Sequence, residues 1–216
     1  MVKKFTDLKG KASRSGPERF KYVDGVNRYR IVSPVVPGYK YWLKAQDGTP
    51  IPFDCLTFDR DKEQFVNTKP DPVRKYFPDK KCSWAYSSFV IDRSDNKLKL
   101  IDHKKKLFEQ VLMLANKLGD PTDPETGWDV VAERVKTGPK AYNVEYTLSQ
   151  LDCKDSQGPL TEAEKKMLEE EMPDIEEFLK VPSAEDQEAF IKSKVLGEED
   201  EASDPEIEKE FESDDL

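Results

Sequence analysis

Residues 80–114 read KKCSWAYSSFVIDRSDNKLKLIDHKKKLFEQVLML and carry the strongest indication of the fold. The segment 80–92 has the composition of a β-strand, DRSDN that of a turn, and KLKLI (97–101) that of a second strand. Residues 104–119, KKKLFEQVLMLANKLG, predict an amphipathic helix that ends at Gly119. Its apolar residues recur at helical spacing and would face a core: Leu107, Phe108, Val111, Leu112, Leu114, Ala115 and Leu118.

Further strands are predicted on both sides of this stretch, from apolar and polar residues that alternate with a period of two. They are NRYRIVS (27–33), GYKYWLK (38–44), PIPFDCLTF (50–58) and AYNVEYTLSQ (141–150). Several short strands around one internal helix predict an α+β protein that is mainly β. The architecture we expect is the five-stranded oligonucleotide-binding barrel, the OB-fold.

Four regions are predicted along the chain. A basic, flexible arm spans residues 1–20, and the barrel spans 21–155 with an insertion at 59–79 that is rich in charge and proline. An acidic helical segment follows at 156–197, where Thr161 with Glu164 and Ser183 with Asp186 form helix-capping patterns. Residues 198–216 have the high charge and low apolar content of a disordered tail.

Charge divides the chain at about the same place. Residues 1–150 have a net charge of +8, residues 151–216 have −17, and the whole chain has −9. All eight Tyr and all three Trp precede residue 151. A basic, aromatic body with an acidic end is typical of proteins that contact nucleic acid.

Several classes of protein are excluded or disfavoured by the sequence. No stretch approaches the roughly 18 apolar residues of a membrane span, and no apolar run follows the first lysines, so we expect a cytoplasmic protein. Three cysteines without a CxxC pair argue against a disulfide framework. Cys55, Cys82 and Cys153 with the sole histidine, His103, have spacings unlike those of zinc sites, and we predict no metal and no cofactor.

Catalytic patterns are equally scarce. A nucleophilic triad would depend on His103 alone, which lies beside three lysines at a helix start, and phosphate-binding glycine loops are missing. We therefore predict no catalytic residues. One enzymatic alternative stays open, a metal-dependent nuclease using Asp59, Asp61 or Asp120.

Basic residues alternate with aromatic ones on the predicted strands, which is the stronger pattern. Single-stranded nucleic acid needs cations along its phosphates and flat rings on which its bases stack. Lys40, Trp42 and Lys44 would share one strand face, and Trp84 and Tyr86, two residues apart, would share another. The predicted DNA-contacting set is Arg28, Arg30, Lys40, Tyr41, Trp42, Lys44, Lys80, Lys81, Trp84, Tyr86, Lys104, Lys105 and Lys106.

The order of these elements resembles a known family. Lys80 and Lys81 precede the Ser83-Trp84 strand, and Lys105, Lys106, Leu107, Phe108 and Glu109 open the helix. With DPTDPETGWDVV (120–131) and KTGPKAYNVEY (136–146), they are similar to the helix-destabilising, single-stranded-DNA-binding proteins of tailed phages. Within this family, the chain resembles the type encoded by gene 32 of the T-even phages, and the resemblance covers roughly residues 20–150.

This resemblance implies an oligonucleotide-binding barrel that coats single strands cooperatively during replication, recombination and repair. It implies self-association through a basic arm containing Lys3 and Lys4, and recruitment of replication proteins by the acidic C-terminal part. The T-even members carry a zinc module where this chain has its insertion, with Cys55 alone near a ligand position. We expect packing of Phe65, Tyr76 and Phe77 to fix the insertion instead.

The acidic tail completes the hypothesis. We expect it to compete with DNA for the basic surface at low salt, and to meet replication proteins through Phe211 and Leu216 once DNA is bound. A solubilising tail is the simpler alternative. A further alternative for the whole chain is an acidic scaffold or DNA mimic, which would lack affinity for single strands. Site size, strand polarity and RNA binding are left open.

Overall fold

The computed structural model describes residues 17–140 and 142–198. Lys3, Lys4, Phe211 and Leu216 lie outside these ranges. In chain order the elements are β1 (Glu18–Arg19), β2 (Gly25–Ile31), β3 (Tyr39–Lys44), β4 (Pro50–Asp54), β5 (Phe58–Asp59), β6 (Gln64–Phe65), α1 (Pro72–Tyr76), β7 (Ser83–Trp84), β8 (Ser87–Asp92), β9 (Lys97–Asp102), α2 (Lys105–Leu118), β10 (Asp129–Lys136), β11 (Val144–Leu148), α3 (Gln150–Asp155), α4 (Glu162–Glu171), α5 (Ile175–Phe178) and α6 (Ala184–Ile191), followed by a π-helical segment, Lys192–Leu196.

The described chain divides into two compact units. The first unit consists of residues 17–37 and 85–180, and the second of residues 38–84 and 181–198. The second unit is therefore inserted in sequence between β2 and β8, and it takes α6 from the far end of the chain.

A six-stranded sheet in the order β1-β9-β8-β2-β10-β11 forms the first unit. Its central strand β2 runs antiparallel to β8 and to β10, with Arg30 opposite Ile91 on one side and Asp129 on the other. β9 and β11 extend the antiparallel pairing outward, whereas β1 runs parallel to β9. β8 is buried at every position, as expected of a strand that is covered on both faces.

Helix α2 packs most of its predicted apolar stripe into the core of the first unit, but Leu112, predicted to face the core, is exposed. Leu107, Val111 and Leu114 are buried with Tyr29 and Trp128, and burial of each such side chain contributes about 1.5–3 kcal/mol. The Trp128 indole N–H donates to the Gly119 carbonyl (3.0 Å), so the polar end of this buried ring is satisfied. Gly119 ends the helix with φ 92°, in the left-handed region that glycine adopts without strain.

The acidic segment contributes to both units. Thr161 and Glu164 form the predicted reciprocal capping box of α4, and Ser183 caps α6 by accepting from the Asp186 N–H (3.0 Å). Ile175 of α5 is buried with the sheet residues Phe89 and Leu98 in the first unit. Ile191 of α6 is buried in the core of the second unit.

The second unit has a three-stranded sheet, β4-β3-β7, and a two-stranded ribbon, β5-β6. Its core contains Tyr41, Leu43, Phe53, Cys55, Phe58, Val73 and Ile191. Phe65 contacts the rings of Tyr39 and Phe58 (4.9 and 5.3 Å between centroids), and Tyr76 and Phe77 pack against the same core. The three aromatic residues expected to fix the insertion thus all contact the core of this unit.

The α+β class is confirmed, but the closed five-stranded barrel is not. The main sheet has six strands in an open order, and among the described residues β11 makes no ladder with β9 or β1. β3 and β4, expected in the barrel, form a separate sheet with β7. An alternating pattern determines which face of a strand is buried, but it does not determine the strand's partner. Within the described ranges, no helix has the length and apolar character that crossing a bilayer requires.

Candidate nucleic-acid interface

The exposed face of β3 presents the predicted basic and aromatic residues. Along this strand Tyr41 and Leu43 are buried, whereas Trp42 and Lys44 are exposed and Lys40 is partly exposed. Trp42 is 51% exposed, which is unusual for a side chain of its size. The alternation in YKYWLK therefore places one indole ring between two lysines on a single face.

Two prolines extend this face onto the neighbouring strand. Trp42 is paired with Pro52, and Lys44 with Pro50, and both prolines are exposed. β4 is an edge strand, where proline is tolerated because its missing N–H is not needed by a further strand. Directly paired residues point to the same face of a sheet, so Trp42 and the prolines form a flat apolar surface, here called the β3–β4 platform.

Tyr41 belongs to the opposite face and does not contribute to the platform. The side chain is 1% exposed, and its hydroxyl donates to the Asp71 carboxylate (3.2 Å) and lies 3.4 Å from the Cys55 thiol. Burial raises the pKa of Tyr41 well above its usual value. Its inclusion in the predicted DNA-contacting set is corrected, since a base cannot stack on a ring that is enclosed by the core.

Lys80 and Lys81 lie beside an open depression of about 500 Å³ in the second unit. Both lysines are exposed, and Phe65 and Arg74 line the same depression. Phe65 is 48% exposed, although its ring contacts the rings of Tyr39 and Phe58. The sequence indicated the two lysines but missed Phe65 and Arg74 as companions, because the residues between 59 and 79 have no regular alternation.

Trp84 and Tyr86 do not share a strand face. β7 ends at Trp84 and β8 begins at Ser87, so the period-two argument does not extend from one residue to the other. Trp84 is paired with Tyr39, on the face of β3 opposite to Trp42. Tyr86 belongs to the first unit and packs on Phe108, with 6.0 Å between ring centroids.

Three exposed lysines mark the start of α2 in the first unit. Lys104 is the residue before the helix, Lys105 and Lys106 open it, and its first turn has no acidic residue. This arrangement is unfavourable for the helix dipole, which prefers anions at the N-terminus. Lys104 Nζ lies 5.6 Å from the centre of the Tyr22 ring, within cation–π range.

Arg28 and Arg30 differ in their surroundings. The Arg28 side chain is 52% exposed, and its Nε donates to the Asp129 carboxylate (2.8 Å). Arg30 is only 2% exposed, because the 120–128 loop covers it; its Nη2 donates to the carbonyls of Asp123 (2.8 Å) and Gly158 (3.2 Å). Both arginines were predicted to contact DNA, but only Arg28 lies on the open surface; Arg30 is enclosed, and the prediction that it lies on the exposed surface is corrected.

An aromatic and cationic pair that the sequence did not single out lies in the β10–β11 loop. Tyr142 is 74% exposed, and Lys140 Nζ lies 5.5 Å from the centre of its ring. Tyr142 was predicted as part of the closing strand, but β11 begins only at Val144. An exposed loop tyrosine next to a lysine has the chemistry needed to stack on a base and contact a phosphate.

The histidine and the cysteines lie in environments that do not suit catalysis. Burial lowers the pKa of His103 to about 3, and its Nε2 lies 2.8 Å from the Ser88 hydroxyl. Burial, together with the neighbouring Cys55 thiol, raises the pKa of Cys82 to about 11. At neutral pH the His103 imidazole and the Cys82 thiol are therefore both uncharged, and an uncharged thiol is a poor nucleophile. The described part of the chain has no cluster of three or more His, Cys, Asp or Glu placed to hold a metal ion.

Two aspartates of the nuclease alternative, Asp59 and Asp120, accept hydrogen bonds within local turns. Asp59 and Asp61 belong to the second unit, and Asp120 to the first. Asp59 accepts from the Lys62 N–H (3.1 Å), and Asp120 accepts from the N–H and hydroxyl of Thr122 (2.8 Å each). These are the hydrogen bonds of turn-forming aspartates.

Comparison with known proteins identifies a relative along almost the whole chain. The probable single-stranded-DNA-binding protein of Escherichia phage T5 is 32% identical over 239 aligned positions, which cover 94% of this chain and 91% of the T5 protein. No family model matches the sequence. The chain belongs to the family of this phage T5 protein. The relative supports a phage single-stranded-DNA-binding protein, but not the narrower T-even type that the motif order resembled.

Proposed function

We propose that this protein binds single-stranded DNA without demanding a particular base sequence, and that it does so for a bacteriophage. The family relationship to the T5 protein carries the proposal, and the β3–β4 platform supplies the chemistry. An exposed indole ring offers a stacking surface to any base, and Lys40 and Lys44 flank it as phosphate contacts. No catalytic residues are assigned.

The topology of the first unit supports an opened form of the oligonucleotide-binding barrel. Five strands of this unit, numbered 1 to 5 in chain order, are β2, β8, β9, β10 and β11. Their order in the sheet is then 3-2-1-4-5, and α2 lies in the chain between strands 3 and 4. Proteins of this architecture bind oligonucleotides with the face of strands 2 and 3 and with the loops after strands 1 and 4. Here the loop after strand 1 is the inserted second unit, which bears the platform, and the loop after strand 4 contains Lys140 and Tyr142.

The finer roles are parts of the same proposal. The protein would coat strands exposed in phage DNA replication, recombination and repair, in the cytoplasm of the infected host. Lys3 and Lys4 would mediate self-association along the strand. Phe211 and Leu216 would meet phage replication proteins. The support for these roles is the charge division of the chain together with the resemblance of its motifs to T-even proteins.

The deciding experiment is a series of tryptophan-fluorescence titrations with oligo(dT) and with duplex DNA at several salt concentrations. We expect quenching, a preference for the single strand, and an affinity that falls with salt by a log–log slope of roughly −0.7 per phosphate neutralised. Equal affinity for the duplex contradicts the proposal. Magnesium-dependent degradation of the oligonucleotide would indicate the nuclease instead, and no binding at any salt concentration would favour the acidic scaffold.

A further inference from the structure

Three arginines line one cavity on the first unit. The cavity has a volume of about 420 Å³, within the roughly 300–1,000 Å³ of small-ligand sites, and Arg28, Arg30, Arg93 and Asp129 line it. The arginines come from β2 and from the β8–β9 turn, so strands that are neighbours in the sheet bring them together. No local sequence pattern associates Arg93 with the other two.

Arg30 is the member of this group that lacks a full set of partners. Its Nη2 is satisfied by two backbone carbonyls, but its buried Nε has no hydrogen-bond acceptor among the described residues. A buried donor without an acceptor costs about 1–3 kcal/mol, more when the group is charged. Burial also lowers the pKa of Arg30 from its usual value. An anion in the cavity would supply the acceptor that Nε lacks.

The carboxylates nearby are already engaged. Asp129 accepts from Arg28 Nε (2.8 Å) and from Nε and Nη2 of Arg93 (3.1 and 3.0 Å), and Arg93 also pairs with Glu164. The Asp123 carboxylate accepts the N–H groups of Glu125 and Thr126. Three guanidinium groups are thus balanced by the three carboxylates of Asp123, Asp129 and Glu164, and the buried donor that remains without an acceptor among the described residues is Arg30 Nε.

We infer that this cavity is a binding site for a single phosphate group. Arg30 Nε and the half-exposed Arg28 would donate to its oxygens, while Asp129 and Arg93 hold the two arginines in place. Planar guanidinium groups suit phosphate because they donate two parallel hydrogen bonds. The inference rests in part on the proposed function, since the phosphate we expect is one from a bound DNA strand. A terminal phosphate, a backbone phosphate and free inorganic phosphate share the same chemistry.

The test uses the full chain, ¹⁵N-labelled, with inorganic phosphate as the probe. In ¹H–¹⁵N spectra we expect the Arg30 Nε–H signal to shift and saturate with phosphate but not with chloride at equal ionic strength. Arg28→Gln should weaken phosphate binding at least about fivefold, as expected for one lost charge-assisted hydrogen bond, and Lys117→Gln, an exposed cation of α2, less than twofold. An unmoved Arg30 signal, or equal effects of the two variants, overturns the inference.

A second arm identifies the source of the phosphate and separates this inference from the proposed function. Oligo(dT) with a 5′-phosphate and with a 5′-hydroxyl are titrated into the same sample. A shift of Arg30 Nε–H with both indicates a backbone phosphate, and a shift with the first alone indicates the terminal one. If neither oligonucleotide binds but inorganic phosphate still shifts Arg30, the site stands and the proposed function falls. If DNA binds and Arg30 never shifts, only the site is wrong.

Discussion

Trp42 and Pro52 face each other across the β3–β4 ladder, and both are exposed on the same side of the sheet. Because the Trp42 ring is half exposed, it contributes little to the free energy of unfolding. Its removal should therefore affect binding and stability to very different extents.

Replacing the indole gives the first prediction. Trp42→Ala should weaken binding of oligo(dT) by about 1–3 kcal/mol, the range for loss of one base stack, while unfolding in urea changes little. Leu112→Ala is the matched control, because Leu112 is 52% exposed on α2 of the first unit. Binding is followed by fluorescence anisotropy of a labelled oligonucleotide. Equal affinities of the two variants would remove the platform from the site.

The flanking lysines give a prediction about salt. In the double variant Lys40→Gln with Lys44→Gln, the log–log salt slope of oligo(dT) affinity should become shallower by about 0.7 for each lysine, since each phosphate contact releases counterions. Lys117→Gln on α2 is a charge-matched control and should leave the slope unchanged. A lower affinity with an unaltered slope would mean that the lysines do not contact phosphates.

His103 predicts a dependence of stability on pH. Its folded pKa of about 3 lies below the value of about 6.5 in the unfolded chain, so between these values the unfolded state binds the extra proton. Stability should therefore fall as the pH falls from about 6.5, by up to about 1.4 kcal/mol per pH unit. Urea unfolding of wild type and His103→Gln from pH 7 to pH 5 tests this. Parallel stability curves for the two proteins would contradict it.

The ion pairs of Arg93 hold α4 against the sheet of the first unit. The Asp129 side chain is 4% exposed and that of Glu164 13%, so Arg93→Met leaves both carboxylates poorly compensated. We expect a loss of about 3 kcal/mol in the free energy of unfolding. Lys166→Met, which removes the exposed pair with Glu170 in the same helix, should cost less than about 1 kcal/mol. Similar losses in the two variants would show that α4 is held by apolar packing alone.

The acidic tail can be tested without knowledge of its conformation. Deleting residues 198–216 should tighten binding of oligo(dT), most strongly at low salt, because competition between charges is screened as salt increases. A second variant, with the Asp and Glu of this stretch changed to Asn and Gln, separates charge from length. Unchanged affinity in both variants would leave the tail a role in solubility or in contacts with other proteins.

Sequence reasoning predicted those features that depend on local pattern. The stripe from Leu107 to Leu118 gave α2 and its stop at Gly119, the capping box gave the start of α4, and alternation gave the two faces of β3. Each of these depends on residues within a few positions of one another. The period of the side chains along one strand or helix is enough to determine them.

Features that depend on distant residues were not predictable in this way. Arg30 is enclosed by Asp123 and Gly158, which follow it by 93 and 128 positions, and no pattern near Arg30 indicates this. Trp84 lies on the face of Tyr39 because of the β3–β7 register, which the local sequence does not specify. For the same reason, the assignment of β3 and β4 to one barrel with β2 was wrong.

The insertion of the second unit between β2 and β8 has a practical consequence for dissecting the molecule. The chain passes from one unit to the other three times, near residues 37, 84 and 180. No single truncation can yield either unit complete, and a protease that cuts one connection leaves two others intact. Obtaining the first unit alone would require excising residues 38–84, bridging the ends with a short linker and stopping the chain near residue 180.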